Sequence, residues 1–328
     1  MRIVVCGDIN ADLHWDLAAY PAEGDDATAR GLRWGSGGAG ANMGAMLARL
    51  GARVRLVGRV GVDPAAAVAL RCAETSGVDL SLVVRDPALA TGLCSVAVAG
   101  DGAGQRTFFS FRGANPACTP DQLADEPAPG TALLLLSSHA LLEDPQRATA
   151  LEAVRRARAR GVPVALDLGL PAIARARAVI DDLLPDLWLI SANGDELAAL
   201  RPDHDTEAAL HDLRSRGVLH AAVKLGAAGG RLVSAAGDVA VVAPNVAVVD
   251  TTGCGDAFTA GLAWALVQGA PADQALAAAN ALGAATATRT GAADALPPAD
   301  AIPALLPAAL RGHPTRCPHA ASLRKDTP

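Results

Sequence analysis

Short runs that are apolar at consecutive positions alternate along this chain with longer stretches whose apolar residues recur every three or four positions. Residues 3–6, 54–57, 132–136, 162–166, 187–190 and 221–225 are of the first kind and predict strands. Residues 42–50, 65–75, 145–160, 173–181 and 196–200 are of the second kind and predict helices. The alternation implies an α/β fold with a mostly parallel central sheet flanked by helices. Leu133, Leu134, Leu135 and Leu136 leave no polar position, as expected for a strand buried on both faces. From residue 230 the pattern breaks at Gly237-Asp238 and Pro244-Asn245, which predicts antiparallel strands at a sheet edge. Residues 246–249 form a last β-rich piece before a helix over 257–268.

Two segments do not fit the alternation. Residues 12–34 are rich in charge and small side chains, and residues 91–111 read as a hairpin around a Gly-rich turn. Both are predicted to leave the main sheet, with Phe108, Phe109 and Phe111 packing an apolar face. The tail at 312–328 lacks periodicity and is expected to be disordered. Its His313, Cys317 and His319 read as part of a solvated tract rather than a metal site.

A chain of 328 residues that is 51% hydrophobic can bury a large core. The net charge of −6 argues against nucleic acid as a partner, and Arg155, Arg156, Arg158 and Arg160 read as a solvated helix face. The six cysteines form no C-x-x-C pair, which suits a reduced, cytoplasmic setting. No signal-like or membrane-length apolar run is evident. Lys224 and Lys325 are the two lysines, and neither stands in a Walker-type loop, so a phosphate cradle must use backbone.

Such a cradle is available in V-D-T-T-G-C-G-D-A-F-T-A-G, residues 249–261. Glycines let the chain turn into a helix whose first N–H groups, at Gly253, Cys254, Gly255 and Asp256, suit an anion. Asp256 is placed either to accept a proton from an attacking hydroxyl or simply to cap the helix. Asn10 and Asp12 follow the first strand, where they suit sugar hydroxyls or an Asx-turn. Gly35, Gly37, Gly38 and Gly40 before Asn42 make a poor dinucleotide fingerprint. No tidy strand is expected ahead of them, and the region twenty residues on reads Gly58-Arg59-Val60-Gly61, without an acid.

The segment G-S-G-G-A-G-A-N at 35–42 together with the turn at 253–256 resembles the ribokinase-like (PfkB) carbohydrate kinases, over most of the chain from Arg2 to about Pro297. The resemblance implies one kinase domain at 1–311 with a small β-lid from segments near 12–36 and 91–114, and a homodimer formed through the lid. It implies ATP and Mg²⁺, transfer of the γ-phosphoryl group to a hydroxyl of a small carbohydrate, and Asp256 as base beside an anion hole at Gly253, Cys254 and Gly255. Asn10, Asp12, Gly37, Gly38 and Asn42 become sugar contacts. Asn193, Lys224, Gly226, Gly229 and Asn280 become nucleotide contacts, and Glu196 a Mg²⁺ ligand through water. Asp250 and Thr252, with carbonyls near Arg289 and Gly291, match a K⁺ site in some members, although turn chemistry accounts for them as well. Asn193 and Glu196 equally read as a helix N-cap, and Lys224 as a surface charge. Ala39 stands where ribokinases carry Lys, and Ser137-Ser138-His139 replaces an acidic sugar contact, so ribose is not singled out. A nucleoside kinase, a catalytically silent sugar-binding module and, less well, a dehydrogenase are the competing readings.

Overall fold

The computed structural model describes residues 1–99 and 106–311. The Gly-rich turn of the hairpin and the tail at 312–328 lie outside the described residues. The elements in chain order begin with β1 (Arg2–Cys6), β2 (Asn10–Leu17), β3 (Gly31–Gly37), α1 (Ala39–Arg49), β4 (Arg53–Gly61), α2 (Pro64–Thr75), β5 (Asp79–Asp86), β6 (Gly92–Ala99) and β7 (Arg106–Phe111). There follow β8 (Thr131–Ser137), α3 (Gln146–Ala159), β9 (Val164–Asp167), α4 (Leu170–Leu183), β10 (Leu189–Asn193), α5 (Gly194–Leu200), α6 (Thr206–Ser215), β11 (His220–Lys224), β12 (Gly230–Ser234) and β13 (Gly237–Val241). The long helices α7 (Cys254–Val267) and α8 (Ala272–Ala287) come next, followed by the short α9 (Ile302–Leu305).

Nine strands form one sheet in the order β13-β12-β11-β10-β9-β8-β1-β4-β5. All neighbours are parallel except the edge pairs β11–β12 and β12–β13, as the changed pattern beyond residue 230 predicts. Strand alternation sends Ile3, Val5, Leu133 and Leu135 to one core with α1, α2, α7 and α8. Val4, Cys6, Leu134 and Leu136 enter a second core with α3 to α6. Connectivity reverses between β1 and β8, so the crevice beyond their carboxyl ends is where a ligand has room to enter. Gly7 and Gly40 make that crevice close-packed at its base, since a Cβ on Gly40 would lie 2.6 Å from the Gly7 carbonyl carbon.

The two irregular segments do leave the sheet, and build a second one in the order β3-β2-β6-β7. Register puts Asp12, His14, Arg33, Gly35, Cys94 and Phe108 on one face of it. Leu32, Trp34, Phe109 and Phe111 share the other. The expectation that the phenylalanines pack is not met within the single chain: Phe108, Phe109 and Phe111 are more than half exposed.

Three sequence readings are corrected. A strand, β3, does run into the glycine segment, but it belongs to the small sheet and so does not restore a dinucleotide fold. Helix α1 starts at Ala39 rather than 42, because Gly38 adopts φ +87° and turns the chain early. Residues 246–249 form no strand: Val248 and Val249 are exposed, and the N–H groups of Val249 and Asp250 donate to the Ala287 carbonyl at the end of α8. Among the described residues no helix is long and apolar enough to cross a membrane.

Candidate active site

Helix α7 is apolar nearly all round and buried between the sheet and its neighbours, so its N-terminus is held rigidly at the crevice. Gly253 enters it at φ +77°, packed so closely that a Cβ would sit 3.0 Å from the Ala292 carbonyl. The Cys254 N–H is already used, donating to the Thr251 carbonyl at 3.3 Å. Those of Gly253, Gly255 and Asp256 have no hydrogen-bond partner among the described residues, which narrows the open donors of the turn by one.

Asp256, in the first turn of α7, accepts a hydrogen bond from Asn42 Nδ2 at 2.7 Å. Asn42 projects from α1, so the two motifs meet across 214 residues of sequence. Burial, then the negative charge of Asp167 and, more weakly, Glu196, push the Asp256 carboxyl up to about 7, against the opposing hydrogen bond from Asn42 and the charge of Lys224. A carboxylate near neutrality is matched to proton exchange with a hydroxyl.

On the acceptor side, Asp12 is buried at the root of the small sheet, and a Cβ on Gly37 would overlap its carboxylate at 2.2 Å. Asp12 Oδ1 and Asn42 Oδ1 are both buried without a hydrogen-bond partner. Desolvation, followed by the charges of Asp256, Asp294 and Asp250, raises Asp12 to about 7. Asn10 Oδ1 accepts from Asn115 Nδ2 at 2.9 Å, and Asn115 Oδ1 accepts from the Ile9 N–H at 2.8 Å, tying the lid root to the main sheet. Gly38 is committed to backbone packing, with a Cβ only 2.4 Å from the Asp8 carbonyl oxygen.

On the other side, Asn193 and Glu196 form a reciprocal capping box at α5, with Asn193 Oδ1 accepting from the Glu196 N–H at 2.8 Å and Glu196 Oε2 from the Asn193 N–H at 2.7 Å. The capping reading of the sequence therefore holds. Glu196 is buried, and desolvation lifts it to about 7, with Lys224 opposing and Asp167 adding. Lys224 is no surface charge: its Nζ points inward and meets Asp167 Oδ1 at 2.7 Å. Burial would lower its pKa, yet Asp167, Glu196 and Asp256 together raise it.

Asp167 was missed by sequence reasoning. It ends the buried run V-A-L-D of β9 and also accepts from Thr259 Oγ1 of α7 at 2.5 Å, with Ser191 Oγ 2.8 Å from the same hydroxyl. An acid closing an otherwise apolar parallel strand was the available signal. Asn115 is a second omission.

The structure does not draw all expected residues together. Asn280 is buried, and its Nδ2 donates to the Val241 carbonyl at 2.8 Å. Gly226 sits in an exposed turn at φ +58°, and Gly229, at φ +91°, packs against the Val241 carbonyl. Asp250 gathers the Thr252 N–H and hydroxyl (2.9 and 2.7 Å) and the Gly291 N–H (2.9 Å), while Arg289 is exposed.

A doubly flanked parallel sheet, with a carboxylate and open amides at a helix N-terminus in its crevice, defines a phosphotransferase-type site. Residues 1–299 match the pfkB family of carbohydrate kinases, and the chain belongs to that family of phosphotransferases acting on sugar hydroxyls. It is 34% identical to the aminoimidazole riboside kinase of Salmonella typhimurium over 250 residues, 74% of this chain and 77% of that protein. It is also 34% identical to an ATP-dependent ribose-1-phosphate kinase of Halopiger xanaduensis over 284 residues, 85% and 90% of the two chains. Arabidopsis thaliana ribokinase, solved with ribose and ATP, superposes with a TM-score of 0.79 at 26% identity, covering 93% of this chain and 98% of that one.

Proposed function

We propose that this protein transfers the γ-phosphoryl group of ATP to a hydroxyl of a small sugar or nucleoside. Asp256 takes the proton of the attacking hydroxyl, and Asn42 fixes the carboxylate's orientation. The open amides of Gly255 and Asp256, at the positive end of α7, stabilise the charge on the transferring group. Asp12 and Asn42 hold the acceptor, with Asn10 and Gly37 shaping its pocket. The nucleotide lies along the ends of β10 and β11, near Asn193, Lys224 and the Gly226 to Gly229 turn. The observation that carries this reading is the 2.7 Å contact between Asn42 and Asp256 at the mouth of α7.

Mg²⁺ fits the donor set. Asp167, Glu196 and Asp256 surround a single lysine, leaving excess negative charge and hard oxygen donors beside the phosphate position. Glu196 and Asp167 would hold the ion, which when bound neutralises phosphate charge. The oxygen-rich loop of Asp250, Thr252 and Gly291 is assigned to a monovalent cation such as K⁺. The uncovered apolar face carrying Leu32, Trp34, Phe109 and Phe111 supports a homodimer through the lid, within a single kinase domain at 1–311 in the cytoplasm. The 34% identity to a riboside kinase favours a nucleoside-like acceptor as the second reading.

An ADP-release assay across pentoses, ketohexoses, sugar acids, inositols and nucleosides tests the proposal. Ligand binding without ADP release for any acceptor would reject it in favour of a silent binding module.

A further inference from the structure

We propose that Arg112 is a positioning residue for phosphoryl transfer. Its buried ion pair with Asp8 clamps the root of the small sheet to the N-terminus of α1, so that one contact sets both the placement of that sheet over the crevice and the orientation of Asn42 toward Asp256. This rests on the kinase reading and adds to it a pair outside the acceptor and nucleotide contacts.

The chain passes between the two sheets four times: from β1 to β2, from β3 to α1, from β5 to β6, and out of β7. Three of these passages meet at Asp8. Asp8 itself lies in the first, between Cys6 and Asn10. Its carbonyl accepts from the N–H groups of Gly40 at 3.1 Å and Ala41 at 3.4 Å, which fastens the second at the start of α1. Arg112 is the residue after β7, and its Nη2 meets Asp8 Oδ1 at 2.8 Å and Oδ2 at 3.0 Å, with Nε 3.1 Å from Oδ2. The last passage is thereby joined to the other two. Ala90, in the remaining one, accepts at its carbonyl from the Ala114 N–H at 2.8 Å, close behind Arg112.

The main body holds the pair in turn. Gln146, the first residue of α3, donates from Nε2 to Asp8 Oδ1 at 2.9 Å and accepts from Arg112 Nη2 at 2.6 Å. Arg112 Nη2 also reaches the His139 carbonyl at 2.9 Å, just beyond β8, and Nη1 reaches Glu143 Oε1 at 3.3 Å. The side chains of Arg112 and Asp8 are only 15% and 6% exposed. A buried ion pair adds little stability over an apolar pair of the same size. What a planar guanidinium adds is direction, because its fork fixes the angle between the groups it joins. That angle is passed on: Asn42 directly follows the two N–H groups that Asp8 holds, and its Nδ2 is bonded to Asp256. Asn10 is tied to the same root through Asn115, whose Nδ2 also donates to the Arg112 carbonyl at 2.9 Å.

The test compares the native full chain with Arg112→Met, Arg112→Lys and Asp8→Asn. Each is given MgATP and the acceptor that the native chain uses best among pentoses, ketohexoses, sugar acids, inositols and nucleosides. In Arg112→Met, kcat per folded molecule should fall on the order of 10²-fold, the effect of displacing reacting groups by about 1 Å. The KM for ATP should stay unchanged, since the nucleotide side lies away from this root. ADP formed without phosphorylation of the acceptor should rise several-fold relative to coupled transfer, because a tilted small sheet admits water. Arg112→Lys keeps the charge without the fork and should recover part of the turnover. Asp8→Asn keeps the shape and removes the charge; it should show the same pattern with a fall of about tenfold, and it decides the matter where Arg112→Met does not fold. Melting curves give the folded fraction of each variant. Variants that melt earlier yet turn over and couple like the native chain, once corrected for that fraction, overturn the proposal and leave the kinase reading intact. No ADP release by the native chain with any acceptor overturns both.

Discussion

Lys224 Nζ lies 2.7 Å from Asp167 Oδ1, and the same oxygen accepts the Thr259 hydroxyl of the helix that carries Asp256. One buried carboxylate thus links the ends of β9 and β11 to α7. It also sets the field at Asp256, whose pKa is raised by Asp167 and Glu196 and lowered by the Asn42 hydrogen bond and Lys224. The two partners act in opposite senses: Asp167 raises the Asp256 pKa and Lys224 lowers it. The acid limb of the kcat/KM profile, expected near pH 7 in the native enzyme, should move to lower pH in Asp167→Asn and to higher pH in Lys224→Met. Breaking a buried pair costs about 3–5 kcal/mol, so both variants should also melt earlier. Shifts in the same direction, or none, would remove this pair from the tuning of Asp256.

Asp256→Asn keeps the shape of the site but removes the proton acceptor. Turnover should fall by about 10²–10⁴, the usual worth of general-base help, while acceptor affinity measured by calorimetry stays within a few fold. Near-native turnover would show that the hydroxyl loses its proton elsewhere.

The fold was legible because its signals are local. Apolar runs such as those of β1 and β8 announce double burial, and the Gly253 to Asp256 turn announces a helix N-terminus facing an anion. What escaped depends on partners distant in sequence. Asp167 is ordinary until β9 lies beside β10 and under α7; Lys224 reads as either a nucleotide contact or a surface charge until Asp167 beside it removes the second reading. Residues 246–249 have strand propensity but no neighbouring strand to pair with, and the Val249 N–H goes to the end of α8 instead. The strand β5 and helix α6 went unassigned, and α8 was given no bounds, because its many alanines give little contrast between its faces.

Gly37→Ala tests the acceptor pocket sterically. The added Cβ would overlap the Asp12 carboxylate at 2.2 Å, so Asp12 must rotate away. Acceptor KM should rise about tenfold or more, because the bond lost is to a charged group, whereas the KM for ATP should stay unchanged. Equal effects on both substrates would indicate general disruption of the crevice.

Stability of the ligand-free protein should fall as pH rises from about 4 to about 7. Asp12, Glu196 and Asp256 each have a folded-state pKa of about 7, above the unfolded values of 3.8 or 4.5. A carboxylate shifted upward is tolerated while protonated, and the folded state loses ground as pH rises through that window. Buried His220 acts the other way: desolvation lowers it from 6.5 to about 4, so its contribution is lost as pH falls below 6.5. Three groups oppose one, and the net slope favours acid by an amount on the order of a few kcal/mol across the window. Carboxylates with lowered values, such as Asp63 and Asp212, titrate below this range and leave the sign unchanged. Urea midpoints measured at pH 5 and pH 8 without ligands should therefore be higher at pH 5, and Asp12→Asn should flatten the difference. A midpoint that rises toward pH 8 would mean that the crevice carboxylates are ionised and solvated rather than held near neutrality.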